Sequence, residues 1–305
     1  ASLGVTLYPD DAKDVKGLLK NADQAMYGAK DLGKNNYQYY THDMQTAAIK
    51  RMTLLNDLRY AVKNKELFIE YQPIACFSSQ KVMKAEALLR WQHPTKGRIT
   101  PDEFIPLAEE SGLIIDISNW VFNEVCANIK QWKAQNRQEL QVSINTSPSH
   151  YFNLESNITQ WLNLLLDQKI SARSILLEVT ENLLMEANEM VSKKLFQFRQ
   201  AGVDIALDDF GTGYSSISYL KRFPTDFIKI DRSFVKSMTD VSNDKVLCEA
   251  IIVMANKLGI KVVAEGVETQ EQYDILKSMG CDYAQGYFIA KPLSKSDFES
   301  FWERH

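Results

Sequence analysis

The sequence predicts an α/β protein whose main body is a TIM-like (β/α)8 barrel with its first strand antiparallel to the second. Eight short apolar runs follow one another through residues 65–305, each with the length of a buried strand. From the second run onward, the gaps usually hold an apolar pattern of helical period. Strands that alternate with helices pair in parallel through βαβ crossovers, and eight such units are typical of a closed barrel.

A short α+β segment precedes this body. Residues 5–8 and 37–40 are typical of strands, and an apolar pattern of helical period runs between them from 15 to 32, ending at Gly33. About 40 residues cannot bury a domain core by themselves, so we expect the remnant of a larger domain. A second helical pattern at 44–63 leads onward. We therefore divide the chain into a remnant at 1–40, a connecting helix at 41–64 and a barrel domain at 65–305.

The barrel elements follow in order along the chain. The apolar runs lie at 67–74, 82–91, 140–147, 174–181, 203–209, 226–231, 261–267 and 283–289. Helical patterns between them lie at 120–134, 158–168, 190–201 and 245–258. Because such crossovers keep the strands parallel, their carboxyl ends meet at one end of the barrel.

The gap between the first and second runs is too short for a helix. Only residues 75–81 separate them, whereas a parallel crossover needs a dozen residues or more. We therefore expect a hairpin with its turn near Ser78–Ser79, which places Gln72 opposite Glu86 within a residue or two. Pro73 also favours an extended backbone at Gln72.

The bulk composition excludes several classes of function. A net charge of −4 and a pI near 5.7 give no general attraction for a nucleic-acid polymer, although a small anion can still bind at a local cationic or metal site. The four cysteines and four histidines are scattered without the spacing of a zinc site. We expect reduced core cysteines in a cytoplasmic protein.

No membrane contact is expected from this segment. Its apolar runs all fall short of the roughly 18 residues that cross a bilayer, and it shows no signal peptide. The chain opens on an apolar stretch without an initiator region, which suggests a piece of a longer protein. A membrane anchor upstream therefore stays open.

Polar side chains collect where the predicted strands end. A single acid at such a place is usually solvated or caps the next helix, and this reading stays open for Glu181 and Glu268. Several acids meeting at one barrel mouth repel one another and require cations. The set comprises Glu86, Asn145, Glu178, Glu181, Asp208, Asp209, Lys229, Glu265, Glu268 and Gln285.

Asp208 and Asp209 stand side by side in ALDDFGTG, at residues 206–213. Adjacent side chains of a strand point to opposite faces, unless the strand has just ended, in which case both can bind metal. Oxygen donors without thiolate or imidazole favour Mg²⁺ or Mn²⁺. Two such ions about 3.5–4 Å apart can activate a water and stabilise both oxygens of a phosphoryl displacement.

Two residues of this set, Lys229 and Gln285, and two others, Arg90 and Gln72, have both a functional and a structural interpretation. Lys229 lies between apolar neighbours, and we expect it to point at the reacting water or phosphate, the alternative being a salt bridge to Asp231. Arg90 lies on the same strand face as Glu86 and is a candidate phosphate donor, the alternative being an ion pair. The amides of Gln72 and Gln285 suit either ligand contact or strand-end hydrogen bonding.

Residues from about 50 to 305 resemble the EAL family of cyclic di-GMP phosphodiesterases. Eight ordered motifs carry the resemblance, and Thr146 stands where Leu is common in that family. The motifs are YQPI, EALLRW, INTSP, LEVTEN, DDFGTGYSS, FIKID, AEGVET and QGYFIAKPL.

The resemblance implies a barrel with an antiparallel first strand and two bound Mg²⁺ or Mn²⁺ ions. It implies that Lys229 positions or activates the water, that Glu181 and Glu268 support the loop after strand five, and that three residues contact the ligand. The implied sets are Glu86, Asn145, Glu178 and Asp208 for the first metal, Asp208, Asp209 and Glu265 for the second, and Gln72, Arg90 and Gln285 for the ligand.

Residues 1–40 resemble the carboxyl-terminal end of a GGDEF diguanylate cyclase domain, through SLGVTLYPD, ADQAMYGAK and GKNNYQYY. The GGDEF signature and its nucleotide-binding half are missing, so this chain by itself is not expected to act as a cyclase.

The sequence thus predicts a phosphodiesterase that hydrolyses cyclic di-GMP to linear 5′-pGpG with a metal-activated water. Two other classes compete with it. A receptor would bind the dinucleotide without cutting it, although the complete acid set disfavours this. A carboxylate-metal lyase or racemase of the enolase type also uses acids and a lysine in a barrel, but the paired aspartates favour two metals. The resemblance further suggests a homodimer through 215–223.

Overall fold

The computed structural model describes residues 1–33, 35–135, 137, 139–152, 159–185, 188–212, 220, 223, 225–238 and 243–305. These residues form two compact units. The first comprises residues 1–64 together with 102–108, and the second comprises residues 65–101 and 109–305.

The first unit opens with a two-stranded parallel sheet and a helix. Strand β1 spans Leu3–Val5, helix α1 spans Val15–Asp31, and strand β2 spans Tyr37–Tyr39. Helix α2 follows at His42–Ala61. The predicted strand at 5–8 is therefore wrong beyond its first residue. Its chain turns away after Val5, since the backbone N–H of Leu7 donates to the Asp11 carboxylate at 2.7 Å.

The second unit is the predicted barrel. Within its described residues, eight strands close into a ring. The first of them, at Leu67–Cys76, pairs antiparallel with both neighbours, and the other pairings around the ring are parallel. The antiparallel first strand is thus confirmed. Gln72 lies directly opposite Glu86, as the short hairpin predicted. The strands are β3 at Leu67–Cys76, β4 at Val82–His93, β6 at Gln141–Asn145, β7 at Ile175–Thr180, β8 at Asp204–Phe210, β9 at Phe227–Ile230, β10 at Lys261–Ala264 and β11 at Tyr283–Gln285, and a short β5 at Gly97–Ile99 pairs with β4.

Helices follow most of these strands, as the alternation predicted. The helix at Gln270–Ser278, for example, starts with a capping box in which the Thr269 hydroxyl accepts from the Gln272 backbone and the Gln272 side chain accepts from the Thr269 backbone. After α2, the described helices are α3 at Pro101–Ser111, α4 at Ile114–Ala134, α5 at Ser149–Phe152, α6 at Thr159–Asp167, α7 at Glu181–Met185, α8 at Glu189–Gln200, α9 at Arg232–Lys236, α10 at Asn243–Leu258, α11 at Gln270–Ser278 and α12 at Lys295–Trp302.

Apolar side chains fill the barrel below the polar end. One buried cluster joins Ile74, Leu176, Ala206, Phe227 and Val263, which come from five different strands. The parallel register then brings the strand ends together above this cluster. Asn145 pairs with Glu178, and Thr180 pairs with Asp208.

Two structural observations concern the cysteines and the length of the helices. All four cysteines are free thiols, and three of them are buried. Among the described residues, none of the helices has the length and apolar character needed to cross a bilayer.

Candidate active site

The predicted polar cluster lies at the carboxyl ends of the parallel strands. Glu86 lies within β4, Asn145 ends β6, Glu178 lies in β7 and Lys229 lies in β9. Glu265 directly follows β10. Buried apolar residues adjoin each of these side chains along its strand, so their burial holds the polar side chains at one end of the barrel.

The Lys229 ammonium lies at the centre of the acids. Its Nζ is 2.9 Å from Glu178 Oε2, and its side chain is only 2% exposed. The same atom also reaches a carboxylate oxygen of Glu265 at 2.7 Å, of Asp208 at 3.1 Å and of Glu86 at 3.5 Å. The alternative pairing with Asp231 is therefore wrong. The Asp231 carboxylate instead caps helix α9 by accepting from the Ser233 backbone at 3.0 Å.

Neutral amides hold Glu86 from the other side. Asn145 Nδ2 donates to Glu86 Oε1 at 2.7 Å, and Gln285 Nε2 donates to Glu86 Oε2 at 2.6 Å. Gln285 Nε2 also lies 3.1 Å from Gln72 Oε1, and Gln72 in turn donates to the Ala290 carbonyl at 3.2 Å. The amides thus orient a carboxylate that is almost wholly removed from water.

Burial and charge divide the protons unequally among these groups. Burial raises the pKa of Glu86, but the Lys229 charge and the amide hydrogen bonds outweigh it and leave the pKa below its usual value. Burial and the Glu86 charge hold the pKa of Glu178 well above its usual range. Burial also raises the pKa of Glu265 to about 7. Burial disfavours the ammonium form of Lys229, yet the surrounding carboxylates hold its pKa well above the usual value.

A bulge in β8 places both aspartates at this site. The pairing of β8 with β9 shifts between Leu207 and Phe210, so that two residues of β8 face one residue of β9. Asp209 adopts a left-handed φ of 54° within this bulge. As a result, Asp208, Asp209 and Glu265 each offer an oxygen within 4.8 Å of the others. The sequence left open that the strand ends before the pair, but β8 runs through both aspartates, and the bulge brings both side chains to one site instead.

The donor set suits a hard divalent cation. Its atoms are carboxylate and amide oxygens, which are the ligands that Mg²⁺ and Mn²⁺ prefer. Glu178 Oε1 is buried and has no hydrogen-bond partner among the described residues. Such an orphaned oxygen suits a cation, because a buried acceptor without a partner is costly.

The two supporting acids lie at loop ends. Glu181 opens helix α7, and its Oε2 accepts from the Gly211 backbone N–H at 3.3 Å, at the start of the loop after the fifth barrel strand. Glu268 lines the cavity above the cluster. Its backbone N–H donates to Gln272 Oε1 at 2.8 Å. In the loop that follows β8, residues 213–219, 221–222 and 224 lie outside the described residues.

A cavity of about 280 Å³ opens over the cluster. Arg90 is not among its described lining residues; its Nε donates to Glu70 Oε2 at 2.8 Å, and this ion pair is the structural alternative that the sequence left open. Arg232 and Tyr287 do line it, although neither was predicted from the sequence. Their positions directly after FIKID and within QGYFI were the available signal.

Fold and site together define an α/β barrel protein with a cluster of carboxylate and amide side chains around a buried lysine at the carboxyl ends of its strands. A match to the EAL domain family covers residues 55–292. The bifunctional diguanylate cyclase/cyclic di-GMP phosphodiesterase MucR of Pseudomonas aeruginosa is 39% identical over 293 residues, which are 96% of this chain and 43% of that protein. The cyclic di-GMP phosphodiesterase NbdA of the same organism is 38% identical over 301 residues, 99% of this chain and 38% of that protein.

A solved structure described as a PaMucR phosphodiesterase in complex with c-di-GMP matches the fold with a TM-score of 0.77 at 37% identity. The match covers 81% of this chain and 99% of the solved chain. This chain belongs to the EAL domain family. It spans less than half the length of the two curated relatives above.

Proposed function

We propose that this chain hydrolyses cyclic di-GMP to linear 5′-pGpG in a reaction that requires two divalent cations, Mg²⁺ or Mn²⁺. The observation that carries the proposal is the convergence of four carboxylates on the Lys229 ammonium at the barrel end. Membership of the EAL family, with relatives named as cyclic di-GMP phosphodiesterases, supports the choice of substrate.

Two groups of residues would hold the cations. When bound, the ions would supply Lewis acidity at the scissile phosphate and the means of activating a water at neutral pH. The proposed ligands are Glu86, Asn145, Glu178 and Asp208 for one ion and Asp208, Asp209 and Glu265 for the other.

The side chains of this protein orient the remaining groups. Lys229 keeps a buried positive charge beside the ligands, where it positions the attacking water and stabilises negative charge on the phosphate. Gln285 and Asn145 hold Glu86 in one orientation through their amide hydrogen bonds. Glu181 ties the backbone after the aspartate pair through Gly211.

Incubation of the chain with cyclic di-GMP and Mg²⁺ or Mn²⁺ tests the proposal. We expect the linear product by chromatography, and we expect chelation of the metals to stop its formation. The matched control is Asp208→Asn, which keeps the shape of the side chain and removes the charge shared by both proposed cation sites. If the parent chain turns over cyclic di-GMP no faster than this control, the proposed hydrolysis is rejected.

A receptor function makes the opposite prediction for the same samples. Binding of cyclic di-GMP in Ca²⁺ without product in Mg²⁺ or Mn²⁺ would establish that the chain holds the dinucleotide without cutting it. The complete acid set and its buried lysine support hydrolysis over this reading.

Residues 1–40 are proposed to be the end of a GGDEF domain, residues 41–64 a connecting helix and residues 65–305 the barrel domain. The match to a bifunctional cyclase and phosphodiesterase over 96% of this chain supports the assignment. Leu3, Tyr37 and Tyr39 of the small sheet are each more than half exposed, as in an incomplete core. The chain incubated with GTP should form no cyclic di-GMP, because the cyclase signature is missing.

A homodimer is also proposed. Most of the stretch first considered for it, 215–223, lies outside the described residues, while Leu220 within it is buried. Helix α10 instead exposes an apolar stripe, with Val246 64% and Val253 50% accessible. Sedimentation that shows only monomer at tens of micromolar would reject the dimer.

A further inference from the structure

One cation at the cavity has no role in the chemistry above. Arg232 lines the cavity beside Gly266 and Tyr287. Its side chain is exposed, and no carboxylate in the described part of the chain forms an ion pair with it. The other basic candidates are occupied, because Lys229 lies among four carboxylates and Arg90 is paired with Glu70.

The backbone holds the base of the Arg232 side chain in place. Gly266 adopts a left-handed φ of 68°, and a Cβ added to it would lie 2.5 Å from Arg232 Cβ. Only glycine therefore lets the loop after β10 lie flush against the arginine. This contact fixes the start of the side chain at the cavity wall, while its guanidinium stays free to meet a ligand.

The cavity carries an excess of acidic side chains, so an anionic ligand needs a positively charged group such as this guanidinium. The acids Glu86, Asp208, Glu265 and Glu268 line it, against the two described cations Lys229 and Arg232. A cyclic dinucleotide carries two phosphates, each with one negative charge. The proposed metal ions neutralise the surroundings of the phosphate that is cut, but the second phosphate must enter the same acidic cavity.

We infer that Arg232 binds the phosphate of the cyclic dinucleotide that is not cleaved. The inference rests on the proposed function, since it takes its ligand from there. An arginine suits this task because its planar guanidinium makes bidentate contacts to phosphate oxygens. The residue then sets a preference for ligands with a second phosphate at the right distance from the reacting one.

The test compares Arg232→Ala with the matched control Lys236→Ala. Lys236 is an exposed cation one turn further along α9, and it is not among the described residues that line the cavity. The affinity for cyclic di-GMP is measured by calorimetry in Ca²⁺, and hydrolysis of bis(p-nitrophenyl) phosphate, which has a single phosphodiester, is measured in Mn²⁺. We expect Arg232→Ala to weaken cyclic di-GMP binding by about tenfold to a hundredfold and to leave the single-diester rate within about twofold. Arg232→Lys should keep part of the affinity, because it retains the charge but not the bidentate geometry.

Two results would overturn the inference. The first is that Arg232→Ala binds cyclic di-GMP with an affinity within about twofold of that of Lys236→Ala. The second is that Arg232→Ala loses affinity for cyclic di-GMP and rate on the single diester by the same factor, which indicates general damage to the site. Thermal unfolding of Arg232→Lys and Arg232→Ala shows whether the fold is intact. If the parent chain binds cyclic di-GMP without hydrolysing it, the proposed function fails while the affinities still decide the role of Arg232. Lack of any binding by the parent chain would overturn both.

Discussion

At the scale of single residues, the position of Lys229 explains how so many acids are tolerated in a buried site. Four carboxylates lie between 2.7 and 3.5 Å from its Nζ, so one ammonium screens all of them. Burial raises the pKa values of Glu178 and Glu265, which favours their neutral forms and so lowers the remaining repulsion when no metal is bound.

Loss of this ammonium should destabilise the metal-free protein. We expect Lys229→Met to lower the free energy of unfolding in chelator by about 3–5 kcal/mol, because it leaves buried carboxylates without their counter-charge. Urea unfolding measures the difference, with Lys236→Met as the exposed control. Equal stability of the two variants would show that protonation alone is enough to hold the acids together.

His150 in α5 is a buried titratable residue outside the site, and it should make part of the protein's stability sensitive to acid. Burial and the Lys194 charge lower the pKa of His150 from 6.5 to about 4. The unfolded chain therefore takes up a proton below about pH 6.5 that the native protein does not accept until about pH 4, so stability falls as the pH decreases through this window. At about pH 5 the loss amounts to about 2 kcal/mol.

The variant His150→Gln should not show this part of the loss of unfolding free energy in acid. The measurement is the change in unfolding free energy between about pH 7 and about pH 5, in which other titrating groups cancel between the parent and the variant. The same change in both proteins would contradict the neutral, buried state of His150.

At the scale of an element, the bulge in β8 determines which way the aspartates point. An unbroken strand would send Asp208 and Asp209 to opposite faces. The register shift and the left-handed backbone of Asp209 bring both to the side of Glu265. The backbone of this one strand therefore creates the proposed second cation site.

Substitutions of Asp209 can separate its backbone role from its charge. Asn tolerates the left-handed region, so the free energy of unfolding of Asp209→Asn should lie within about 0.5 kcal/mol of that of the parent. Its affinity for Mn²⁺ should be lower by about tenfold or more. Calorimetric titration with Mn²⁺ measures the affinity. Asp209→Val should in addition lose about 1–3 kcal/mol of stability, because a β-branched residue is strained at this φ. Unchanged Mn²⁺ affinity in Asp209→Asn would remove Asp209 from the ligand set.

At the scale of the whole molecule, cation binding should be coupled to the stability of the barrel. The proposed ligands come from several strands, so the folded chain assembles a site that the unfolded chain lacks. At a free concentration of Mg²⁺ or Mn²⁺ one hundredfold above the dissociation constant, we expect the unfolding free energy to rise by about 2.7 kcal/mol. Chelation should reverse the change, and Asp208→Asn should show little of it.

The same stabilisation should depend on pH. The pKa of Glu265 lies at about 7 in the absence of metal, and a proton on this carboxylate competes with a cation. The shift in Tm caused by Mg²⁺ should therefore be larger at about pH 8 than at about pH 6, because the proton is bound below the pKa and released above it. A shift that does not change with pH would show that Glu265 takes no part in cation binding.

The sequence by itself determined the order of strands and helices, the antiparallel first strand and the pairing of Gln72 with Glu86. These features depend on hydrophobic period and on the length of one connection, which are local and therefore legible along the chain. It also located the carboxylates and Lys229, because polar residues at the ends of apolar runs stand out.

Only the tertiary structure decided how these side chains meet. Neither the four contacts of Lys229, nor the pairing of Arg90 with Glu70, nor the exposure of Arg232 at the cavity follows from spacing along the chain. Each depends on the distance between side chains of different strands and loops. Those distances are set by barrel closure and by the bulge in β8, which place residues far apart in sequence within a few ångströms of one another.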